Sequence, residues 1–261
     1  MGTGLYIGID GKARKVKGVY IGVSDKARKV KKIYVGDSNG KARVCYQSGK
    51  KLSEYTVGST VYLNEYGRSA EYIVVHQGLP SALYDSSCRG TWLMRKHIYS
   101  TGQWRGTDIN DYKASKVNTD LNDSVLRSFD VNVQNVIKNV KIPYVAGTGS
   151  SGTVQSGENG LAVKVFLPSN REIGFSTDHE DGYCLSYFNG KQDSDRIAYF
   201  DGAAMFWWTR SPYKTDTTNV RVVNYGGSST ISYCANTWGI RPMIVLPSDT
   251  IFDEKTKTFL A

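Results

Sequence analysis

The histidines of this chain are the first place to look for catalytic chemistry. There are three: His76 in a β-like run, His97 before a short β-like stretch, and His179 within the string Asp-His-Glu-Asp. None belongs to a metalloprotease HExxH, a GxSxG elbow or a phosphate-binding loop. A nucleophilic pair of Cys88 with His97 would need the fold to bring them together, and no sequence pattern supports it. The sequence therefore predicts a protein that is not an enzyme.

The four cysteines, Cys45, Cys88, Cys184 and Cys234, are far apart and form no CxxC pair. Neither a zinc site nor a redox motif is indicated. Free, mostly buried thiols are the first interpretation. A disulfide between Cys184 and Cys234 is the alternative.

A cluster of carboxylates is the remaining candidate for bound-ion chemistry. Hard cations take oxygen ligands at close sequence spacing, so these side chains are compatible with a calcium loop. They are Asp178, Glu180, Asp181, Asp193 and Asp195. The EF-hand spacing is absent, so we predict no cofactor and a solvated acidic loop, with calcium as the alternative.

Charge divides the chain into two parts. The formal net charge is +9, but residues 1–51 hold 13 basic and 3 acidic side chains, a balance of +10. Residues 52–261 hold the other 20 basic and 21 acidic side chains, a balance of −1. We call residues 1–51 the stem and residues 52–261 the head.

No run of residues approaches the roughly 18 apolar positions of a membrane-spanning helix. The first ten residues, MGTGLYIGID, also lack the pattern of a secretion signal. We expect no membrane insertion. The expectation fits a cytosolic protein and equally a virion component assembled in the cytoplasm.

The stem consists of repeats. The strings YIGIDGKARKVK, YIGVSDKARKVK and YVGDSNGKARVC begin at Tyr6, Tyr20 and Tyr34, a period of 14 residues, and the third copy has one extra residue. Each predicts a β-hairpin, the first turning at Asp10 and Gly11. An isolated hairpin is marginal in water, so the three must stack on one another, on the head or on identical chains. Self-association is the simplest of these.

The stem lysines suggest several partners. Lys15, Lys17, Lys29, Lys31 and Lys32 are predicted to line a solvent-facing side. They would discourage edge-to-edge aggregation, or dock the stem onto an acidic virion protein or an anionic cell-wall polymer. Nucleic acid is disfavoured, because the repeat tyrosines are the only rings available to stack on bases.

The head is predicted to be an α+β domain. The string at residues 57–78 alternates like strands around a turn at Tyr66 and Gly67. Two amphipathic helices should follow, the second capped by Asp130 and ended by Pro143. Their apolar positions are Val117, Leu121, Val125 and Phe129, then Val133, Val136, Ile137 and Val140. A loop rich in Gly and Ser at residues 147–160 leads to further short strands, so an irregular antiparallel sheet should carry both helices.

Two strings of the head are distinctive: WWTRSP at residues 207–212 and GIRPMIVLP at residues 239–247. With YDSSCRGTWLMRK near Tyr84, VKIPY and the Tyr-Ile-Gly repeats, they resemble an uncharacterised family of proteins in phages and prophages of Firmicutes. The C-terminal half is similar to the C-type-lectin-like fold of formylglycine-generating enzymes and of the hypervariable proteins of diversity-generating retroelements. The resemblance implies a C-type-lectin-like head behind the stem.

The resemblance also implies a function. It indicates a virion surface protein of the tail-fibre or receptor-binding type, trimeric like other phage fibres. Its partners would be virion proteins at the stem and a bacterial glycan or protein receptor at the head. Formylglycine-generating enzymes need a cysteine pair near the C-terminus, but here Cys234 has no close partner cysteine. The alternatives are a virion structural or decoration protein and, less favoured, a cell-wall-active enzyme.

The two strings have a structural interpretation as well. We expect one ring of the pair Trp207 and Trp208 in the core and the other at its margin. Arg210 and Arg241 should hold loops by hydrogen bonds to carbonyls or to a carboxylate such as Asp201.

The predicted receptor site lies between these strings, at residues 213–238, in a hairpin turning at Gly226 and Gly227. Tyr, Ser, Asn and Gly dominate this segment, as they do in recognition loops. The inward positions are expected to be Val220, Val222, Ile231, Cys234 and Ala235. The ligand-binding positions are expected to be Tyr213, Asn219, Arg221, Asn224, Tyr225, Ser228, Ser229, Tyr233, Asn236 and Trp238. An ordinary polar hairpin is the alternative.

Overall fold

The computed structural model describes residues 5–9, 11–16, 18–24, 26–36, 40–107, 109–176, 179–253 and 258–260. Asp10, Lys17 and Asp178, which the sequence singled out, lie outside these residues. The chain divides into two compact units, Met1–Lys50 and Lys51–Ala261. Each is described by itself.

Each stem repeat forms a two-stranded antiparallel hairpin. The strands are β1 (Tyr6–Ile9), β2 (Lys12–Lys15), β3 (Tyr20–Val23), β4 (Lys26–Lys29), β5 (Lys32–Gly36) and β6 (Ala42–Gln47). The first two hairpins share one register, with Tyr6 opposite Lys15 and Tyr20 opposite Lys29. In the third, the register shifts between Ile33 and Tyr34.

Large apolar side chains of the stem are exposed. Tyr6, Ile7, Tyr20, Ile21, Tyr34 and Val35 are each at least half exposed. Alternate side chains of a strand point to opposite faces, so Ile7 lies beside its cross-strand partner Arg14 and Ile21 beside Arg28. The hairpins therefore mix apolar and basic groups on one face.

Short strands are the main regular structure of the head. After β7 (Lys50–Lys51) they are β8 (Thr60–Glu65), β9 (Arg68–Gly78), β10 (Gly90–Arg95), β11 (Ser100–Gln103), β12 (Val140–Ile142), β13 (Tyr144–Ala146), β14 (Thr153–Gln155), β15 (Leu161–Val163), β16 (Val165–Phe166), β17 (Ala198–Phe200), β18 (Ala203–Met205), β19 (Trp207–Pro212), β20 (Asn219–Val223), β21 (Ser229–Tyr233), β22 (Thr237–Ile240), β23 (Met243–Leu246), β24 (Ile251–Asp253) and β25 (Thr258–Leu260). In the described part of the chain, two sheets have five strands, in the orders β16-β23-β10-β9-β8 and β11-β22-β19-β20-β21.

Among the described residues, α-helix is confined to one region of the head, while short 3-10 turns occur at Leu52–Glu54, Ser86–Cys88 and Asp193–Arg196. The continuous helix at residues 116–128 comprises α1 (Lys116–Asp120), a π-helical turn (Leu121–Val125) and α2 (Leu126–Ser128). Ser115 caps it by accepting a hydrogen bond from the Asn118 N–H (3.1 Å). A single further turn, α3 (Val131–Gln134), follows. Within the described residues, no helix is long and apolar enough to cross a membrane.

The prediction of an α+β head with two helices is wrong. Strands account for 43% of the structure and helices for 11%. The predicted second helix stops at Gln134, and Val140 instead begins β12, which pairs with β15. Its sequence is rich in Val and Asn, which are poor helix formers, so strand pairing prevails over apolar spacing.

Both tryptophans of the WWTRSP string are fully buried. The Trp207 Nε1–H donates to the Arg196 carbonyl (3.0 Å) and the Trp208 Nε1–H to the Gly102 carbonyl (2.9 Å). Consecutive side chains of β19 face opposite sides of the sheet, and both sides are covered. The expectation of one ring at the core margin is therefore wrong.

Arg210 is the most constrained side chain of the head. Its guanidinium forms a bidentate ion pair with Glu172, at 2.5 Å (Nη1–Oε2) and 2.7 Å (Nη2–Oε1). It also donates to the carbonyls of Pro143 (3.0 Å), Leu167 (2.9 Å) and Asp181 (3.1 Å). The expectation that Arg210 holds loops by hydrogen bonds to carbonyls and to a carboxylate is thus confirmed. The carboxylate is that of Glu172 and not that of the exposed Asp201.

Further polar groups complete this buried network. The Tyr84 hydroxyl donates to Glu172 Oε1 (2.7 Å), and the Ser169 N–H donates to Glu172 Oε2 (2.9 Å). The Ser211 hydroxyl donates to Asp181 Oδ2 (2.6 Å). Asp181 Oδ1 is buried with no hydrogen-bond partner among the described residues. Burial raises the pKa of Asp181 to about 6, against the opposing effect of Arg210.

Replacing Asp181 with asparagine should stabilise the head as pH rises. The pKa of Asp181 is raised from 3.8 to about 6 in the folded state. The folded state therefore binds the proton more tightly than the unfolded state does. The stability that this proton contributes to the folded state is fully present below about pH 4 and is lost as pH rises past about 6. D181N cannot ionise at this position and does not lose that stability. The difference in free energy of unfolding between D181N and the parent should therefore grow by up to about 3 kcal/mol between those pH values. Urea denaturation at several pH values measures this, with Asp249→Asn on the surface as control. A difference that is constant with pH would contradict the prediction.

Candidate ligand-binding site

The β20–β21 hairpin lies at one end of the second sheet, beside β19. Its register runs from Asn219 opposite Tyr233 to Val223 opposite Ser229. The turn is held by Asn224, whose Oδ1 accepts from the N–H groups of Gly226 (2.9 Å) and Ser228 (3.1 Å). The turn therefore carries its own hydrogen bonds.

Gly227 brings this turn against the rest of the head. Its φ is +87°, and a Cβ there would lie 1.8 Å from the Asp193 carbonyl oxygen. No other residue fits without movement of the backbone. The turn is thus packed against the segment that begins at Asp193.

The predicted inward positions are only partly correct. Val220, Val222 and Cys234 are buried and Ala235 is half-buried, but Ile231 is 39% exposed. The register places Ile231 opposite Arg221, on the face that also carries Asn219 and Tyr233. This face of the edge strand is uncovered, so the apolar residue lies at the surface.

The ten predicted binding residues are all exposed or half-buried, but they do not form one surface. On one face, the Arg221 guanidinium lies 4.7 Å from the centre of the Tyr213 ring, and Tyr233 is on the same face. On the other face, Trp238 and Asn236 meet at Ser232. The hairpin therefore presents two chemically different surfaces.

Three rings form what we call the aromatic cluster: Phe206, Tyr225 and Trp238. The Phe206 ring centre lies 4.5 Å from that of Tyr225 and 4.7 Å from that of Trp238. The Trp238 Nε1–H donates to the Ser232 hydroxyl oxygen (2.7 Å), which also accepts from Asn236 Nδ2 (2.9 Å). Ring contacts and hydrogen bonds thus fix the cluster while Tyr225 stays 54% exposed.

Several other predicted residues have structural roles. Asn219 Nδ2 donates to Asp216 Oδ2 (2.9 Å), Asn224 Nδ2 to the Ser228 hydroxyl (2.7 Å), and the Ser229 hydroxyl to Asn170 Oδ1 (3.1 Å). Burial by itself would raise the pKa of Asp216, but hydrogen bonds from Asn219 and Thr218 lower it. These side chains shape the hairpin and its loop.

Asn110 holds the loop that enters the hairpin, and sequence reasoning missed it. Its Nδ2 group donates to the carbonyls of Tyr213 (3.2 Å), Asp216 (3.1 Å) and Asn219 (2.7 Å). Its Oδ1 accepts from the Gly149 N–H (2.8 Å). A single Asn in a polar stretch gives no sequence signal for this role. Phe206 was also missed, although the aromatic run Phe-Trp-Trp marks it.

Cys88 and Cys184 are poor nucleophiles in this environment. Burial raises the pKa of Cys88 to about 12 and also raises that of Cys184, whereas the thiolate is the reactive form. The Cys88 thiol donates to the Lys141 carbonyl (3.2 Å), while His97 packs against Tyr199. None of the four cysteines is in a disulfide, so the alternative disulfide between Cys184 and Cys234 is not formed.

The carboxylates proposed for calcium are separated in the fold. Glu180 pairs with Arg171 (3.3 Å), Asp193 with Arg196 (3.4 Å) and Asp195 with Lys191 (3.5 Å). Across the residues that the structure covers, no group of three or more His, Cys, Asp or Glu side chains could hold a metal ion.

Comparison with known proteins gives one match. Residues 89–248 fit the model of a family described as a domain of unknown function, DUF6273. No curated protein and no solved structure matches the chain. The matched range contains the hairpin, the aromatic cluster and Asn110.

Replacing Asn110 with alanine should destabilise the head by about 3 kcal/mol or more. The change removes the side-chain donor of the Tyr213 and Asp216 carbonyls and the acceptor of the buried Gly149 N–H. Each lost partner costs about 1–3 kcal/mol. The free energy of unfolding, measured by urea denaturation, reports the loss. Asn236→Ala is the matched control, because among the described residues this exposed side chain hydrogen-bonds to the Ser232 hydroxyl alone, and its loss should cost about 0.5 kcal/mol or less. Equal effects of the two substitutions would contradict the role of Asn110.

Proposed function

The chain belongs to the DUF6273 family, and from that premise we propose that it is a non-catalytic attachment protein. In this proposal the head binds a ligand on a bacterial surface, and the stem joins the chain to a larger assembly. The observation that carries it is the aromatic cluster, a fixed set of rings at the surface beside polar side chains.

The cluster has the properties of a recognition surface. Tyr and Trp supply large amphipathic contact areas and lose little conformational entropy on binding. Here Phe206 already holds both rings, and the bond to Ser232 fixes the Trp238 indole. Such preorganisation reduces the entropic cost of binding. Asn236, exposed beside Trp238, adds hydrogen-bonding capacity.

The chemistry of the other candidates favours binding over catalysis. The most reactive side-chain type in the chain is cysteine, and burial raises the pKa of both Cys88 and Cys184. The buried carboxylate of Glu172 is fully engaged by Arg210 and Tyr84. These groups stabilise the head and are poorly placed to attack a substrate.

The setting of the proposal is a phage or prophage particle. Its support is the resemblance of WWTRSP, GIRPMIVLP and the Tyr-Ile-Gly repeats to phage and prophage proteins. In this account the protein lies on the virion surface, and its receptor is a bacterial glycan or protein. Reconstruction of particles with heads facing inward would favour a decoration protein instead.

The stem properties fit attachment and self-association. Its first two hairpins expose Ile7, Ile9, Ile21 and Val23 at the same repeat positions, and burial of an isoleucine stabilises by about 1.5–3 kcal/mol. We propose that identical chains cover these side chains, as a homotrimer in line with the resemblance to phage fibres. The basic side chains would remain for an acidic virion partner.

Replacing Tyr225 with alanine should weaken binding of the labelled protein to intact Firmicutes cells. Loss of a central aromatic residue costs about 2 kcal/mol or more, roughly a thirtyfold loss of affinity. Tyr183→Ala is the matched control, because Tyr183 is 53% exposed and Tyr225 54%. Thermal midpoints of both variants should stay near the parent's. Y225A binding to cells as tightly as Y183A would disprove this site.

Replacing Ile7 and Ile21 together with serine should convert the oligomer into single chains. The change removes apolar surface at equivalent positions of two repeats, and light scattering after size-exclusion chromatography gives the mass. Tyr6→Ser with Tyr20→Ser, at exposed positions on the opposite face of the same strands, is the control and should keep the parent mass. Association through this face is ruled out if the parent protein is itself monomeric, or if the variant with both serine substitutions keeps the parent mass.

A further inference from the structure

A second concave surface of the head lies between the β17–β18 hairpin and the segment that links β10 to β11. Its volume is about 550 Å³, within the range of small-ligand pockets. Arg95, His97, Tyr99, Tyr199 and Asp201 are among the residues that line it. None belongs to the aromatic cluster.

The walls of this pocket are fixed by the backbone. The Ile98 N–H donates to the Tyr199 carbonyl (3.1 Å), which joins the two sides. The hairpin turns through Asp201 (φ 49°) and Gly202 (φ 84°), the pair of positive φ values that a tight two-residue turn requires. Tyr199 is 43% exposed, and Asp201 is exposed beside it.

His97 is one of the residues that line the pocket. Its ring meets that of Tyr199 edge to face, at 5.5 Å and 85°. Its Nδ1 atom is buried and has no hydrogen-bond partner among the described residues. Such an atom costs about 1–3 kcal/mol, and its burial keeps it out of reach of a ligand in the pocket. Burial lowers the pKa of His97, as do Arg241 and Lys96, which keeps the ring neutral at neutral pH.

The charge of Arg95 is already balanced. Its Nε donates to Glu65 (3.0 and 3.2 Å), and its Nη1 donates to the carbonyls of His97 (3.1 Å) and Ile98 (2.6 Å). This leaves the Asp201 carboxylate at the rim as the main charged acceptor. Carboxylates form strong hydrogen bonds with neutral donors such as hydroxyls, so an uncharged hydroxylated ligand suits this pocket better than an anion.

We propose that this pocket binds one pyranose ring of a carbohydrate. The apolar C–H face of the sugar packs on the exposed ring of Tyr199. The sugar hydroxyls donate to the Asp201 carboxylate. The pocket is separate from the aromatic cluster and does not require the proposed attachment function.

Histidine signals in the nuclear magnetic resonance spectrum of the full chain test this proposal. With three histidines in the sequence, ¹⁵N-histidine labelling gives few signals, and His97→Gln identifies those of His97. The probes are methyl α-D-glucopyranoside and N-acetylglucosamine, with acyclic sorbitol as the control, each to roughly 20 mM because single sugars bind in the millimolar range. We expect saturable shifts of His97 with at least one pyranose and none with sorbitol.

Two variants assign the response to the pocket. Tyr199→Ala should weaken pyranose binding at least tenfold, and Asp201→Asn, which tolerates the same backbone conformation, should weaken it several-fold. Tyr183→Ala, an exposed tyrosine outside both proposed binding surfaces (53% exposed), should titrate like the parent. The proposal is overturned if neither pyranose shifts His97, if sorbitol shifts it equally, or if both pocket variants titrate like the parent. Should Y199A fail to fold, D201N decides: several-fold weaker binding supports the proposal and a titration like the parent's overturns it. Tyr199→Phe keeps the ring and should titrate like the parent.

Discussion

The buried ion pair of Arg210 with Glu172 is the constraint on which the head depends. Removing two charges from water is costly, and only complete hydrogen bonding offsets it. Arg210 meets that demand with two bonds to Glu172 and three to carbonyls. Those carbonyls belong to Pro143, Leu167 and Asp181, which lie far apart in sequence. Strand β19 is therefore fixed to three loops at once, and the β20–β21 hairpin is built on that strand.

Much of the β structure could be predicted because it depends on local signals. The stem hairpins follow from the 14-residue repeat, and the turn at Tyr66 and Gly67 from its type of residues. The second helix could not be predicted correctly, since Val133, Val136, Ile137 and Val140 satisfy helical spacing by sequence alone. Pairing of β12 with β15 decides the outcome, and that partner lies some twenty residues away. Apolar spacing cannot report a contact of this kind.

In the candidate site, too, some features follow from local sequence signals and others depend on contacts between distant residues. Alternation along the hairpin placed Val220 and Val222 correctly, whereas Ile231 depends on the cross-strand register, which pairs it with Arg221. Composition drew attention to the segment but could not separate its two faces. Phe206 lies outside the segment that composition selected, yet it joins Tyr225 to Trp238. Three-dimensional neighbours, and not residue types, define the cluster.

Asn110 has a consequence for how this protein can evolve. It binds the loop at residues 213–219 through carbonyl oxygens, and every amino acid supplies the same oxygen. Lys214, Thr215 and Thr217 expose their side chains to solvent. Substitutions at these three positions can therefore accumulate while the backbone keeps its path. The surface beside the hairpin is free to diverge among descendants of this sequence at little expense to the stability of the fold.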